Sequence, residues 1–345
     1  MKYKNIYIII ILLIFIGCII IVKENIRKSY AVGNTLADTV KALSNGTSWD
    51  AGASGVYYTN SHEYRYVGAN VNNYVKFNND MYRIIGVFDE YSHGKSSNLV
   101  KLVRARSLGS YSWGVSNTSN NSGEYSKYAN DWTGKTTASP SNLNVLLNEY
   151  FYNKTDTSET FGNCSDWSYY YGENKTKNCS SLIKYGILPN FQGYIETVTW
   201  YLYGYDSYKE LSKEKWYECE RGHYASQTGV KGSADSSQDA KIGLMYLSDY
   251  LYASGYYASS DTTSSISSSY FSSNNWLYKG IEWFLTPWSY SSENSWCVTN
   301  RGFTATSVTY GLSIRPTFYL KSSVYVTGGN GSFDNPFTLG CDNCN

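Results

Sequence analysis

The chain has 345 residues and a formal net charge of +1, with 17% charged and 17% aromatic residues, among them 37 tyrosines. So even a balance, with no cluster of Lys and Arg, excludes nucleic-acid binding through phosphate neutralisation. Abundant Tyr, Ser, Asn and Gly exclude coiled coils and long helices, and five prolines exclude a Pro-rich stalk. A strand-and-loop protein with a polar, uncharged surface remains.

Residues 6–22 are an uncharged run of 17, mostly Ile and Leu, preceded by Lys2 and Lys4 and followed by Lys23, Arg27 and Lys28. As a helix the run reaches about 25 Å, near the length of membrane-spanning segments. It reads as a retained anchor within a signal or anchor segment, residues 1–31. A cleaved signal peptide ending at Ser29-Tyr30-Ala31 and a lipid-modified Cys18 are the other readings. The expected location is therefore the cell membrane, single-pass with the remaining chain outside, or secretion if the chain is cut after Ala31. Residues 32–50 follow as an amphipathic helix and linker, with Leu36, Val40 and Leu43 on one helical face.

From residue 51 the pattern becomes one of short strands, expected at 64–67, 74–77, 81–88 and 99–106 and forming one β-rich ectodomain to residue 340. The Asn79-Asp80 pair ahead of Met81 signals a hairpin. Leu99 to Arg104 alternates apolar and basic residues, as a strand with one solvated face does. The glycine- and serine-containing segment 92–98 reads as a loop. A helix is expected over 141–152, after Pro140, with Ser141 as cap and Leu143, Leu146, Leu147 and Tyr150 at helical spacing. Segments 182–187 and 195–202 suit helix or strand, and 242–247 reads as a buried strand. Residues 254–275 read as a long surface loop. Strands are then expected at 283–285 and 312–320, with a closing hairpin of 324–326 and 337–339 around Gly328-Gly329-Asn330-Gly331. That glycine turn offers oxygens for calcium, but positive φ in the turn explains the same residues.

Apart from Cys18, six cysteines remain. Cys164 with Cys179 would staple the loop between them, worth about 3 kcal/mol in the chain-entropy model. Cys341 and Cys344 form a terminal clip or two free thiols in the C-terminal tail 341–345. Cys219 with Cys297 then follows by elimination.

Chemistry-bearing motifs are sparse. His62, His93 and His223 stand alone, so each reads as a solvated loop residue, and no zinc motif, serine-nucleophile elbow or phosphate loop occurs. No cofactor and no metal are expected. Glu218, Glu220, His223 and Cys297 are the one set that an enzymatic reading would use, although Glu218 and Glu220 beside Arg221 also suit a structural ion pair.

At Gly311-Leu312-Ser313-Ile314-Arg315-Pro316-Thr317-Phe318-Tyr319-Leu320 the chain resembles the last core strand of an uncharacterised domain of bacterial exported and membrane-anchored surface proteins. Tyr64-Arg65-Tyr66-Val67-Gly68, Tyr82-Arg83-Ile84-Ile85-Gly86-Val87-Phe88, Leu146-Leu147-Asn148, Lys241-Ile242-Gly243-Leu244-Met245-Tyr246-Leu247-Ser248-Asp249-Tyr250 and Trp283-Phe284-Leu285-Thr286-Pro287 extend the resemblance over roughly residues 35–340. More distantly, a Trp-rich segment ending in Arg-Pro is similar to C-type-lectin-like domains of the sulfatase-modifying type, which also occur as variable binders of diversity-generating retroelements. The resemblance implies a compact α+β, C-type-lectin-like fold in which Arg315 anchors a core strand and polar loops form a binding face. The copper-binding cysteine pair of the sulfatase-modifying enzymes is not matched. Nor are the calcium-ligating motifs of sugar-binding lectins: Asn130-Asp131-Trp132 runs in the wrong order.

These readings converge on a non-enzymatic, membrane-anchored binding module for an extracellular protein or glycan, an adhesin or variable binder. Its expected surface is residues 288–310, with Trp288, Tyr290, Asn294, Trp296, Asn300 and Tyr310, joined by Tyr256, Tyr257 and Tyr270. Tyr and Trp give contact area at low entropic cost, and Ser and Asn add adaptable hydrogen bonds. The alternatives are a secreted enzyme built on the Glu/His/Cys set and a pilus-like component with a partner docked on the amphipathic helix.

Overall fold

Two asparagines at positive φ, Asn78 (54°) and Asn79 (57°), turn the chain between strands whose Phe77 and Asp80 pair directly. Both central residues are left-handed, the geometry that matches strand twist in a two-residue hairpin. The turn therefore lies one residue before the expected Asn-Asp pair. A computed structural model describes residues 34–49, 52–59, 63–114, 131–133, 141–153, 184–205, 212–223, 230–254, 273–291, 293–300 and 302–344, with backbone only over 230–236. The apolar run 6–22, Cys18, His62, Cys164, Cys179, Tyr256, Tyr257 and Tyr270 lie outside the described residues.

In chain order the elements begin with α1 (Leu36–Ala42), β1 (Gly55–Tyr58), β2 (Tyr64–Val67), β3 (Tyr74–Phe77), β4 (Asp80–Phe88), α2 (Glu90–His93), β5 (Leu99–Arg104) and β6 (Ser110–Ser112). Then follow α3 (Asn142–Val145), α4 (Pro189–Gln192), β7 (Val198–Tyr205), α5 (Lys213–Glu220), β8 (Val230–Ala240) and α6 (Leu247–Ala253). The last are β9 (Glu282–Pro287), β10 (Asn294–Thr299), β11 (Gly302–Ser307), β12 (Gly311–Ser313), β13 (Thr317–Leu320), β14 (Tyr325–Gly328) and β15 (Phe337–Gly340). The described chain is β-rich with few helices, as expected for an α+β protein.

Strand β4 organises the larger, eight-stranded sheet. One edge pairs with β5, which pairs with β13; the other is shared by β3 and β2. Beyond β2 lies β1, and beyond β3 come β15, in parallel, and β14. The second sheet runs β11-β10-β9-β12-β6, and β7 with β8 forms a separate ribbon. The expected strand 312–320 is in fact two strands in different sheets: β12 pairs with β6 and β13 with β5. Ile314-Arg315-Pro316 makes the transfer, and Pro316, lacking an N–H, cannot continue a ladder.

Helix α1 is part of the domain. Leu36, Ala37 and Val40 are buried, and the Leu36 N–H donates to Val324 O at 2.8 Å. Its apolar face is thus covered by its own chain, which leaves that face unavailable to a docked partner. Ser141 caps α3 as expected, accepting from Asn144 N–H at 3.1 Å, and the helix continues through wider π-type turns over Leu146–Tyr152. Segment 242–247 is buried but is not a strand, because the Tyr246 N–H donates to the Asp249 carboxylate (3.0 Å) and opens α6 at Leu247. The expected loop 92–98 begins inside a short helix, α2. In the closing hairpin Gly329 (φ 85°) and Gly331 (φ 77°) take the left-handed conformation expected of that turn.

Cys341 and Cys344 form a disulfide, the clip rather than the two free thiols of the two readings left open, and its tail docks on the core at Gly193, where an added Cβ would stand 1.5 Å from Cys344 O. Cys219 and Cys297 are both free and buried, so the bridge inferred by elimination is absent. Cys297 sits on β10 with its Sγ directed at Thr304 O (3.4 Å) across the hairpin, while Cys219 belongs to α5.

Candidate functional site

The β9–β11 region carries the expected binding residues, and strand geometry distributes them. Asn294 pairs with Ser307 and Thr299 with Gly302, so β10 and β11 form a hairpin with Asn300 at its tip. Trp288 follows Pro287, which pairs with Ser295, and Tyr310 lies three residues past Ser307. Trp288, Tyr290, Asn294 and Tyr310 therefore gather at one end of the sheet. Asn300 stands at the other end, about 20 Å from Asn294 at strand rise per residue.

Tyr290 is 75% exposed and its ring lies 5.4 Å from the Trp288 ring, which is itself half-buried against the core. Tyr310 is 40% exposed. Asn294 donates from Nδ2 to Ser291 Oγ (3.3 Å), which holds the 288–294 turn against the strand end. The rim thus offers two exposed phenols and a supported indole beside hydroxyl and amide groups.

Trp296 departs from expectation. It lies in the middle of β10, where Ser295 to Val298 are buried on both faces: it is 1% exposed, its indole N–H donates to Tyr205 O (3.2 Å), and its ring meets Trp216 edge-on at 5.1 Å. A ligand on the rim does not reach it. Trp296→Phe should lower unfolding free energy by about 1–3 kcal/mol, because it removes the indole hydrogen bond to Tyr205 O and part of the buried edge-on contact with Trp216. Equilibrium urea unfolding would check this, and an unchanged midpoint would place the indole outside the core.

The enzymatic set does not assemble into one site. Glu218 accepts from the Tyr91 hydroxyl, and the same Tyr91 ring stacks on His223 at 4.2 Å between centroids. Glu220 points elsewhere, into the interior, accepting from Thr286 Oγ1 (2.6 Å), Ser248 Oγ and Arg221 Nη1 (3.2 Å). Cys297 faces the β10–β11 hairpin, and burial pushes its thiol up to about 12, so it is protonated at neutral pH. His93 is likewise buried rather than solvated: Nε2 donates to Phe88 O (3.0 Å) and Nδ1 accepts from Lys95 N–H (3.2 Å). Burial pushes its pKa down to about 4, so the ring is neutral.

The interior contains a charged network that strand patterning alone did not reveal. Strand β5, expected to be half solvated, is buried throughout, and its Lys101 donates to Asp249 at 2.7 Å. Arg65 reaches the other Asp249 oxygen (2.9 Å) and Glu63 (2.6 Å), and Glu63 also accepts from the Tyr217 hydroxyl. Arg221 pairs with Glu220 and donates to Ser92 Oγ (2.9 Å). The three carboxylates Glu63, Glu220 and Asp249 thus balance the three cations Arg65, Lys101 and Arg221, all six buried. Aromatic rings enclose them: Arg221 lies 3.7 Å from the Tyr217 centroid, Arg65 4.4 Å from Tyr252 and Lys101 4.6 Å from Tyr246. Burial pushes the Asp249 carboxyl up, but Lys101 and Arg65 more than offset it and hold it down to about 2. The alternation Glu63, Arg65 on one strand face was the available signal. Each carboxylate of the network accepts from at least one of its cations, while Arg221 Nε has no hydrogen-bond partner among the described residues.

Arg315, expected to anchor a core strand, is buried and donates from Nε to Glu282 (2.8 Å) and from Nη2 to the same carboxylate and to Tyr250 Oη (2.9 Å). It joins the crossing between the sheets to the first residue of β9. Comparison of the chain with family models, with curated proteins and with solved structures returns no match.

Proposed function

We propose that the protein is a non-enzymatic ligand-binding module, C-type-lectin-like in fold, held on the outer face of a bacterial membrane by residues 6–22. Its ligand is an extracellular protein or glycan, and its contact surface is the rim formed by Trp288, Tyr290, Asn294 and Tyr310. The observation that carries this reading is Tyr290, 75% exposed and backed by the Trp288 ring. A large aromatic held in the open by a second ring has already lost rotamer freedom, so contact on it costs little further entropy. Its flat face suits a sugar ring or a protein side chain, and the amide and hydroxyl groups beside it supply directional hydrogen bonds.

Tyr290→Ala is expected to reduce ligand capture on glycan and protein arrays at least tenfold, with thermal stability unchanged because the side chain is exposed. Trp296→Phe should behave oppositely, lowering stability while sparing capture. Capture unaffected by Tyr290→Ala would move the binding face elsewhere.

A further inference from the structure

A second recessed feature lies away from the aromatic rim, at the crossing between the two sheets. The segment after β5 (Ala105, Arg106, Ser107), the start of β9 with its preceding Lys279-Gly280-Ile281 turn, Ser313 of β12, and Arg315 enclose a pocket of about 250 Å³. Its walls are fixed. Arg104 donates from Nη1 to Arg106 O (2.7 Å) and Ser107 O (2.9 Å), and Leu108 N–H donates to Ile314 O (3.0 Å). Gly280 at φ 120° allows the opposite wall to turn, a conformation that side chains with a Cβ rarely adopt.

The charge of this pocket is one-sided in a chain whose net charge is only +1. Three cations line it, Arg106, Lys279 and Arg315, against a single carboxylate, Glu282. That carboxylate is already engaged by Arg315 through Nε and Nη2. Arg315 is 1% exposed, and its remaining nitrogen, Nη1, has no hydrogen-bond partner among the described residues. Nη1 is sealed from solvent, so Arg315 acts on the pocket through its charge in a low-dielectric wall rather than by direct contact through that nitrogen. A further cation, Arg83, stands behind the wall, bonded to Asn73 and to backbone carbonyls and, among the described residues, to no carboxylate. Partial burial, then Arg83 and Arg315, push the Lys279 ammonium below its usual value, which fits an excess of positive charge awaiting a counter-charge.

We infer that this pocket, lined by Arg106, Lys279 and Arg315, binds a small ligand through one carboxylate or phosphate group. Arg106 and Lys279 at the mouth attract and hold the oxyanion, Arg315 supplies positive charge from the floor, and Ser107 and Ser313 border it with hydroxyl groups. Ile281 and Ala105 give the ligand's remainder an apolar wall. The volume corresponds to about eight waters at the liquid share of each, room for a single acidic sugar or an inorganic phosphate with its hydration.

The test is isothermal titration calorimetry of the full chain in detergent with three probes: inorganic phosphate, D-glucuronate and D-glucose. At least one oxyanion should bind saturably with millimolar affinity, glucose should give no saturable heat, and the affinity should fall as NaCl is raised. The phosphate and glucuronate arms separate the two sources of oxyanion. Arg106 and Lys279 are exposed, so Arg106→Glu and Lys279→Glu should keep the wild-type melting temperature while weakening binding at least tenfold. Tyr290→Ala should leave it unchanged, which separates this site from the rim. No saturable binding of either oxyanion, or equal affinity in the wild type and both charge-reversal variants, would overturn the assignment.

Discussion

Asp249→Ala is expected to lower the unfolding free energy by about 3–5 kcal/mol, the usual cost of removing one partner from a buried ion pair. At about 2–4 °C per kcal/mol for chains of this order of size, the melting temperature should fall by on the order of 10 °C. The reason is positional. Two buried cations share Asp249, Lys101 through Oδ2 and Arg65 through Oδ1, and it also accepts the N–H of Tyr246 that opens α6. Its loss leaves Lys101 with aromatic faces only. The double variant Lys101→Met/Asp249→Asn restores charge balance, since Glu63 still pairs with Arg65 and Glu220 with Arg221. It should be more stable than Asp249→Asn alone; a double variant no better than that single one would show that balance is not what the network supplies. The same carboxylate makes a pH prediction. Its folded pKa, about 2, lies below its ordinary 3.8, so its contribution is present at neutral pH and is lost as pH falls from about 4 through about 2. That contribution is worth about 2 kcal/mol. Acid denaturation of Asp249→Asn should therefore lose that component, seen as a flatter stability profile over that interval.

The network also shows what was legible in the sequence. Strands β2, β3 and β4 were readable because their apolar spacing and the asparagine turn agree, and α1 and α3 because capping residues and helical spacing agree. Helix α5 buries Trp216, Tyr217, Cys219 and Glu220, a face broken by a carboxylate, so apolar periodicity does not mark it as a helix. The long strand β8 had no apolar alternation to mark it; pairing with β7 makes it a strand. On β5 the basic residues Lys101 and Arg104 are three positions apart and so point to opposite faces; Lys101 meets Asp249 and aromatic rings and Arg104 meets Asp80 instead of water, and the first of these depends on residues far along the chain. At the rim, composition located the segment, and position inside the doubly buried strand or in the turns beside it decided its members. Trp296 and Tyr290 differ by six positions, yet one lies inside β10 and the other on the turn before it.

Arg315→Met should be the second strongly destabilising change, again about 3–5 kcal/mol, because it strands Glu282 in the interior without its cation. Arg315 lies in the three-residue crossing between β12 and β13, so its side chain fastens the passage from one sheet to the other. It bonds Glu282 at the start of β9, Tyr250 of α6 and the Leu277 carbonyl, so one side chain ties three segments together. Glu282→Gln should cost less: burial already pushes that carboxyl above its ordinary value despite Arg315, and a glutamine oxygen can still accept from the guanidinium. The double variant Arg315→Met/Glu282→Gln removes both charges, so its loss should be smaller than the sum of the two single losses. A coupling of about 1–3 kcal/mol is the range for residues in direct contact. Urea unfolding of the four proteins measures that coupling, and strictly additive losses would mean that the pair acts as two independent groups. Native-state hydrogen exchange supplies the structural half of the test. If Arg315 holds the crossing, Arg315→Met should lower protection of β13 amides in the larger sheet together with those of β9 in the second, whereas a purely local defect would spare one of the two.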